Sequence, residues 1–114
     1  MINFCSNNDI VIINIGYTVW IQNKLDGGTW SMVAATKQQE SDFDWSHNDA
    51  IAQDSKMAHK GYSLWIPNDT STFYLIFGVS GSTEDDKWRG PFDNTQDSCW
   101  HFHGHLDSWD ISTC

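Results

Sequence analysis

Thr72-Phe73-Tyr74-Leu75-Ile76-Phe77-Gly78-Val79 is the stretch that decides the fold. It joins aromatic and branched side chains in a short apolar run, with polar Ser80-Gly81-Ser82-Thr83-Glu84-Asp85-Asp86 after it. A run of that length bounded by turn residues reads as a buried strand. Upstream, Tyr62-Ser63-Leu64-Trp65-Ile66 alternates as a strand and is stopped by Pro67-Asn68-Asp69. Earlier still, Ile10 to Ile15 and Tyr17 to Gln22 read as two strands broken by Gly16, the second ending at Asn23. Asp26-Gly27 is a hairpin signal, and Thr29 to Ala35 follows as a third strand.

The weaker segments fill the remainder. Phe43 and Trp45 alternate with Asp42 and Asp44, which predicts a short strand. Ser46 to Met57 is polar and reads as a loop with one helical turn. Trp88 followed by Gly90-Pro91 marks a turn, and Cys99 to His103 and Leu106 to Ile111 close the chain as strand. Trp20, Trp30 and Trp65 fall in strand patterns and are assigned to the core. Six to eight short strands with little helix predict an all-β fold, a single-domain antiparallel β-sandwich over residues 1–114.

Composition narrows the function. A chain of 114 residues is expected to form one domain with one core. Its seven tryptophans exceed what that core absorbs, so some are expected at the surface. The net charge of −9 argues against nucleic acid, which needs clustered Lys and Arg, and against docking to anionic lipid. It leaves neutral glycans, zwitterionic membrane surfaces and cationic partners. No run approaches the length of a membrane span, and the first residues lack the basic and apolar regions of a signal peptide. The expected location is the cytoplasm, or outside the cell by export without a signal peptide. The sequon Asn68-Asp69-Thr70 is then expected to be unused. Cys5, Cys99 and Cys114 are read as reduced thiols, the alternative being a clip from Cys99 or Cys5 to Cys114.

Two short motifs carry a resemblance. Gly27-Gly28-Thr29-Trp30, and Phe77-Gly78-Val79 with Lys87-Trp88 beyond the next loop, resemble the fungal fruit-body lectins of the Agaricus type. More loosely, the chain is similar to the related sandwich cytolysins, the actinoporins and aegerolysins. The resemblance implies a β-sandwich that binds galactosyl or N-acetylated sugars, and it covers roughly residues 10–90. The family's His-Asn sugar pair is Ser80-Gly81 here, and Arg89-Gly90-Pro91 follows Trp88, so individual sugar contacts are not carried over.

Three constellations could carry chemistry. Asp85, Asp86, Trp88, Arg89, Asp93 and Asn94 combine a ring for stacking with groups that bond hydroxyls, and Trp45 is a further exposed candidate. His101, His103 and His105 share one face of a strand at period two, a spacing able to bind Zn²⁺. Glu84, Asp85, Asp86, Asp93 and Asp97 offer oxygen ligands for Ca²⁺. No nucleophile elbow, P-loop or dinucleotide fingerprint is present. The expected function is therefore a lectin without catalysis, binding glycans or glycoproteins as a homo-oligomer. The alternatives are a membrane-lipid-binding or pore-forming protein, whose only candidate inserting segment, residues 46–59, is too polar for the role, and a metal-binding protein built on the histidines.

Overall fold

The computed structural model describes the backbone of residues 2–6 and 9–13, and residues 16–114 with their side chains. Ten strands follow in order: β1 (Ile2–Ser6), β2 (Asp9–Ile13), β3 (Gly16–Leu25), β4 (Trp30–Thr36), β5 (Ala52–Met57), β6 (Gly61–Pro67), β7 (Thr72–Val79), β8 (Lys87–Asp93), β9 (Ser98–His105) and β10 (Ser108–Thr113). The first two pair with each other. The burial of Ile10 to Ile15 and the state of Cys5 lie outside what is described.

The other eight form a sandwich. The first sheet has the order β10-β9-β3-β6 and the second β5-β4-β7-β8. Among the described residues every pairing is antiparallel except one: β3 and β9 run parallel from Val19 opposite Ser98 to Leu25 opposite Gly104. A parallel pair needs a long crossover, and here the whole second sheet lies between the two partners in sequence.

Alternation fixes which side chains meet. Val19, Ile21 and Leu25 of β3 and Leu64 and Ile66 of β6 point inward, as do Phe73, Leu75, Phe77 and Val79 of β7. Phe77 is fully buried between Trp100 at 5.2 Å and Phe102 at 5.8 Å, so the stretch that opened the sequence reading is the centre of the core. The Tyr62 and Ser31 hydroxyls share a 2.7 Å hydrogen bond inside it. Burial, first of all, pushes the Tyr62 phenol well above its usual range.

Several expectations are corrected. Asp26-Gly27 makes no hairpin, because β3 and β4 belong to different sheets. The turn, closed by Thr29 N–H donating to Asp26 O at 3.2 Å with Gly28 at positive φ, carries the chain across the sandwich. Phe43 and Trp45 lie in irregular backbone, and residues 52–57, expected as loop or helix, form edge strand β5. Edge strands are often polar and short, which hides them from a hydrophobic pattern. Gly90-Pro91 lies inside edge strand β8, where a residue without an N–H is tolerated, opposite a register shift between Phe73 and Leu75. Cys99 and Cys114 are joined in a disulfide, not free.

Asn23 does not end β3. It is 1% exposed, and its Nδ2 donates to Thr29 O at 3.1 Å and Lys56 O at 3.0 Å, while Oδ1 accepts from Leu25 N–H at 3.1 Å. Asn23→Ala would leave these backbone groups without that partner. It is expected to cost about 3 kcal/mol in urea unfolding; a loss under about 1 kcal/mol would show that the bonds are dispensable. Cys114→Ser opens a loop of sequence separation 15 and is expected to cost about 3 kcal/mol. An unfolding midpoint of the parent protein that ignores reductant would contradict the pairing.

Candidate functional site

The outer face of the second sheet carries a cover. Residues 37–51 leave β4 and cross it before returning as β5. Local polar bonds hold this crossing. Asp44 Oδ1 accepts from Ser46 N–H at 2.9 Å, and Asn48 Nδ2 donates to Asp44 O at 2.9 Å and to Gln53 Oε1 at 2.9 Å. Ile51 N–H donates to Ala35 O at 2.8 Å and re-enters the sheet. Such Asx bonds replace the ladder bonds that the segment lacks.

Along this irregular backbone Asp42 and Asp44 are exposed, and the half-buried rings of Phe43 and Trp45 turn toward the sheet. Phe43 meets Trp45 edge-on at 4.9 Å and Trp88 edge-on at 6.1 Å. Trp45 Nε1 donates to Asp86 Oδ2 at 2.9 Å, tying the crossing to the start of β8. Gly78 makes room for this contact: a Cβ there would stand 2.6 Å from Asp86 Oδ1, 3.0 Å from Trp45 and 3.1 Å from Met32. Between the crossing and β8 lies a cavity of about 490 Å³ lined by Glu40, Ser41, Asp42, Phe43, Ile76, Asp85, Asp86 and Trp88. Two rings and a buried Ile76 supply apolar surface, and four carboxylates supply acceptors. No cation lines it. The arrangement suits a neutral, hydroxyl-rich or cationic ligand.

The structure thus brings together Asp85, Asp86 and Trp88, with Trp45 behind them. It separates the other three expected ligand residues. Arg89 faces β10, 4.0 Å from Asp110, because strand alternation turns it away from its neighbour Trp88. Beside it, Lys87 reaches Glu84 at 3.3 Å and donates to Trp109 O at 2.7 Å, joining the sandwich edges. Asn94 donates to Ile66 O, Pro67 O and Thr70 O and holds the β6–β7 turn. Asp93 sits at the far end of β8, opposite Thr72. Phe43, Asp42 and Glu40 were not expected in a site. The acid–aromatic alternation was their signal, and it marks a covering segment with its rings turned in.

The metal expectations are also corrected. Among the described residues, no three His, Cys, Asp or Glu side chains are arranged to hold a metal ion. His101 and His103 are neighbours at 5.4 Å, but His103 Nε2 bonds Ser112 Oγ, and Gly104 at positive φ interrupts the alternation before His105. Burial, then the charges of Lys24 and His103, hold the His101 imidazole below its ordinary value. The proposed Ca²⁺ oxygens are dispersed: Glu84 pairs with Lys87, Asp97 accepts from Thr18 N–H, and Asp93 is remote.

The outer face of the first sheet has a different character. Trp20 is 51% exposed and Trp65 49%, each outside because its strand neighbours point in. Trp30, 47% exposed, belongs instead to the second sheet, where it lies opposite the exposed Met57. All three were assigned to the core, and the aliphatic alternation around Trp20 and Trp65 is the signal that places those two outside.

No protein-family model matches the chain, and no curated protein matches its sequence. Solved structures do share the fold. Listeriolysin O aligns with a TM-score of 0.50 at 12% identity, over 86% of this chain. The chain spans only 22% of listeriolysin O. The T6SS lipoprotein TssJ1 from Pseudomonas aeruginosa aligns with a TM-score of 0.55 at 8% identity, over 88% of this chain and 96% of its own. At such identities the likeness establishes an all-β sandwich and nothing finer.

Gly78→Ala tests the seat beneath the site. It is expected to lift Trp45 and Asp86 from the sheet and to cost about 1–3 kcal/mol by overpacking. Amide hydrogen exchange over residues 43–48 should quicken. Unchanged exchange and stability would show that Trp45 does not depend on this glycine.

Proposed function

We propose that this chain is a glycan-binding module without catalytic function, and that its ligand enters the cavity between Phe43 and Trp88. The observation that carries the reading is the pairing of these rings with Glu40, Asp42, Asp85 and Asp86 in one cavity. A sugar offers an apolar face for a ring and hydroxyl donors for carboxylates. Neutral sugars fit best, because an anionic ligand would be repelled by the four acids. The lectin resemblance of Phe77-Gly78-Val79 and Lys87-Trp88 agrees with this placement, since Gly78 seats Trp45 and Trp88 forms a wall. A second copy in a homo-oligomer would add avidity.

The Cys99–Cys114 disulfide favours an oxidising compartment, and so export over residence in the cytoplasm. A membrane-surface reading is favoured by the half-exposed Trp20 and Trp65 on the outer face of the first sheet, since such rings settle at headgroup level. Against insertion stands the 46–59 stretch, much of which is paired to β4 as β5. Flotation with zwitterionic and sphingolipid vesicles separates this reading from the first.

A glycan array, repeated with EDTA, identifies the ligand family, and intrinsic fluorescence titration then gives the affinity. Trp88→Ala and Asp85→Asn are each expected to weaken a neutral glycan at least about tenfold, near 1.4 kcal/mol. Asp85 is exposed, so its variant should keep the parent's stability. Unchanged affinity in both would remove the ligand from this cavity, and a blank array with both metal conditions would remove the lectin reading.

A further inference from the structure

We infer that the outer face of the first sheet carries a second ligand site, for a saccharide bearing a carboxylate or sulfate. The site is independent of the cavity over the second sheet and does not rest on the reading given to it.

The register builds a trough. Trp20 stands opposite Ser63 and Gln22 opposite Gly61, so β3 presents an indole and an amide where β6 presents a hydroxymethyl group and a hydrogen. Two cavities follow these strands. One, of about 540 Å³, runs along Trp20, Gln22, Gly61 and Ser63. The other, of about 260 Å³, is lined by Gln22, Lys24, His59, Lys60 and Gly61. They share Gln22 and Gly61, and so lie side by side along the strands. From Trp20 to Lys24 the strand advances about 13 Å, which sets a stacking surface at one end and charge at the other.

The charge identifies the ligand. The chain has six Lys and Arg against 15 Asp and Glu, yet neither cavity is lined by a carboxylate. Lys56, Lys87 and Arg89 are each within ion-pair distance of an acid. Among the described residues Lys24, Lys37 and Lys60 have no such partner, and of these Lys24 and Lys60 line the same cavity. His59 lines the same cavity with its backbone at φ 67°, a left-handed conformation uncommon for a residue other than glycine. Two uncompensated ammonium groups beside an amide and a half-exposed indole fit a sugar ring with an anionic substituent. A neutral sugar would leave the lysines unused, and a bare anion would leave Trp20 unused.

Calorimetric titration with methyl β-D-glucuronide, glucose 6-sulfate and methyl β-D-glucoside tests the assignment. Both charged sugars should bind about tenfold more tightly than the glucoside, with affinity falling as salt is added. Trp20→Ser should abolish binding of both. The double variant Lys24→Gln/Lys60→Gln, made at two exposed positions, should remove the preference for charge. Trp88→Ala should leave this binding intact, which separates it from the cavity over the second sheet. Equal affinity for charged and neutral sugars, undiminished binding by Trp20→Ser, absence of binding, or binding of phosphatidylserine vesicles alone would each overturn the proposal.

Discussion

The sandwich depends on one buried amide. Asn23 lies where the two sheets converge, and its side chain bonds backbone from the 26–29 turn, from β5 and from its own strand. Its main chain completes the junction, donating to Lys60 O and accepting from His59 N–H. Alternation sends position 23 inward, where an aliphatic residue would satisfy none of these groups. A buried polar side chain is tolerated only when its bonds are made, and here they set the spacing between sheets. The same junction places His59 and Lys60 against β3. Core and basic trough therefore share one anchor.

The faces of the sandwich are unlike because one has a cover and the other does not. Residues 37–51 bring Glu40, Asp42 and Phe43 over the second sheet, adding acid and aromatic surface to what Asp85, Asp86 and Trp88 present. The first sheet stays open, and its exposed rows are whatever β3, β6, β9 and β10 carry. Those rows include Trp20, Trp65, Lys24, His101 and His103. The acidic balance of the whole chain thus conceals a local reversal of sign.

Much of this architecture was legible from the chain. Thr72 to Val79 is strand throughout and forms the centre of the core, and Tyr62 to Ile66 lies within β6. What failed did so for physical reasons. β5 is a polar edge strand that packs little of its surface, so no apolar period announces it. Arg89 and Asn94 stand close to Trp88 in sequence, but strand alternation and a turn send them to other tasks. Phe43 entered the site from 45 residues upstream of Trp88, a juxtaposition that only tertiary structure makes. The reading of reduced thiols failed because pairing depends on which strands are neighbours, and β9 lies beside β10.

The parallel pairing of β3 with β9 has a consequence for how the protein is made. As the chain leaves the ribosome, β4, β5, β7 and β8 emerge consecutively enough to assemble, and β6 can reach β3. The other edge of β3, with Val19, Ile21 and Leu25 on its core side, waits for residues 98–105. A nascent or C-terminally clipped chain ending before that point holds an open strand edge beside uncovered apolar side chains, a template for another chain. Pairing of residues 98–105 with β3 therefore closes the seam along which incomplete copies would stick together.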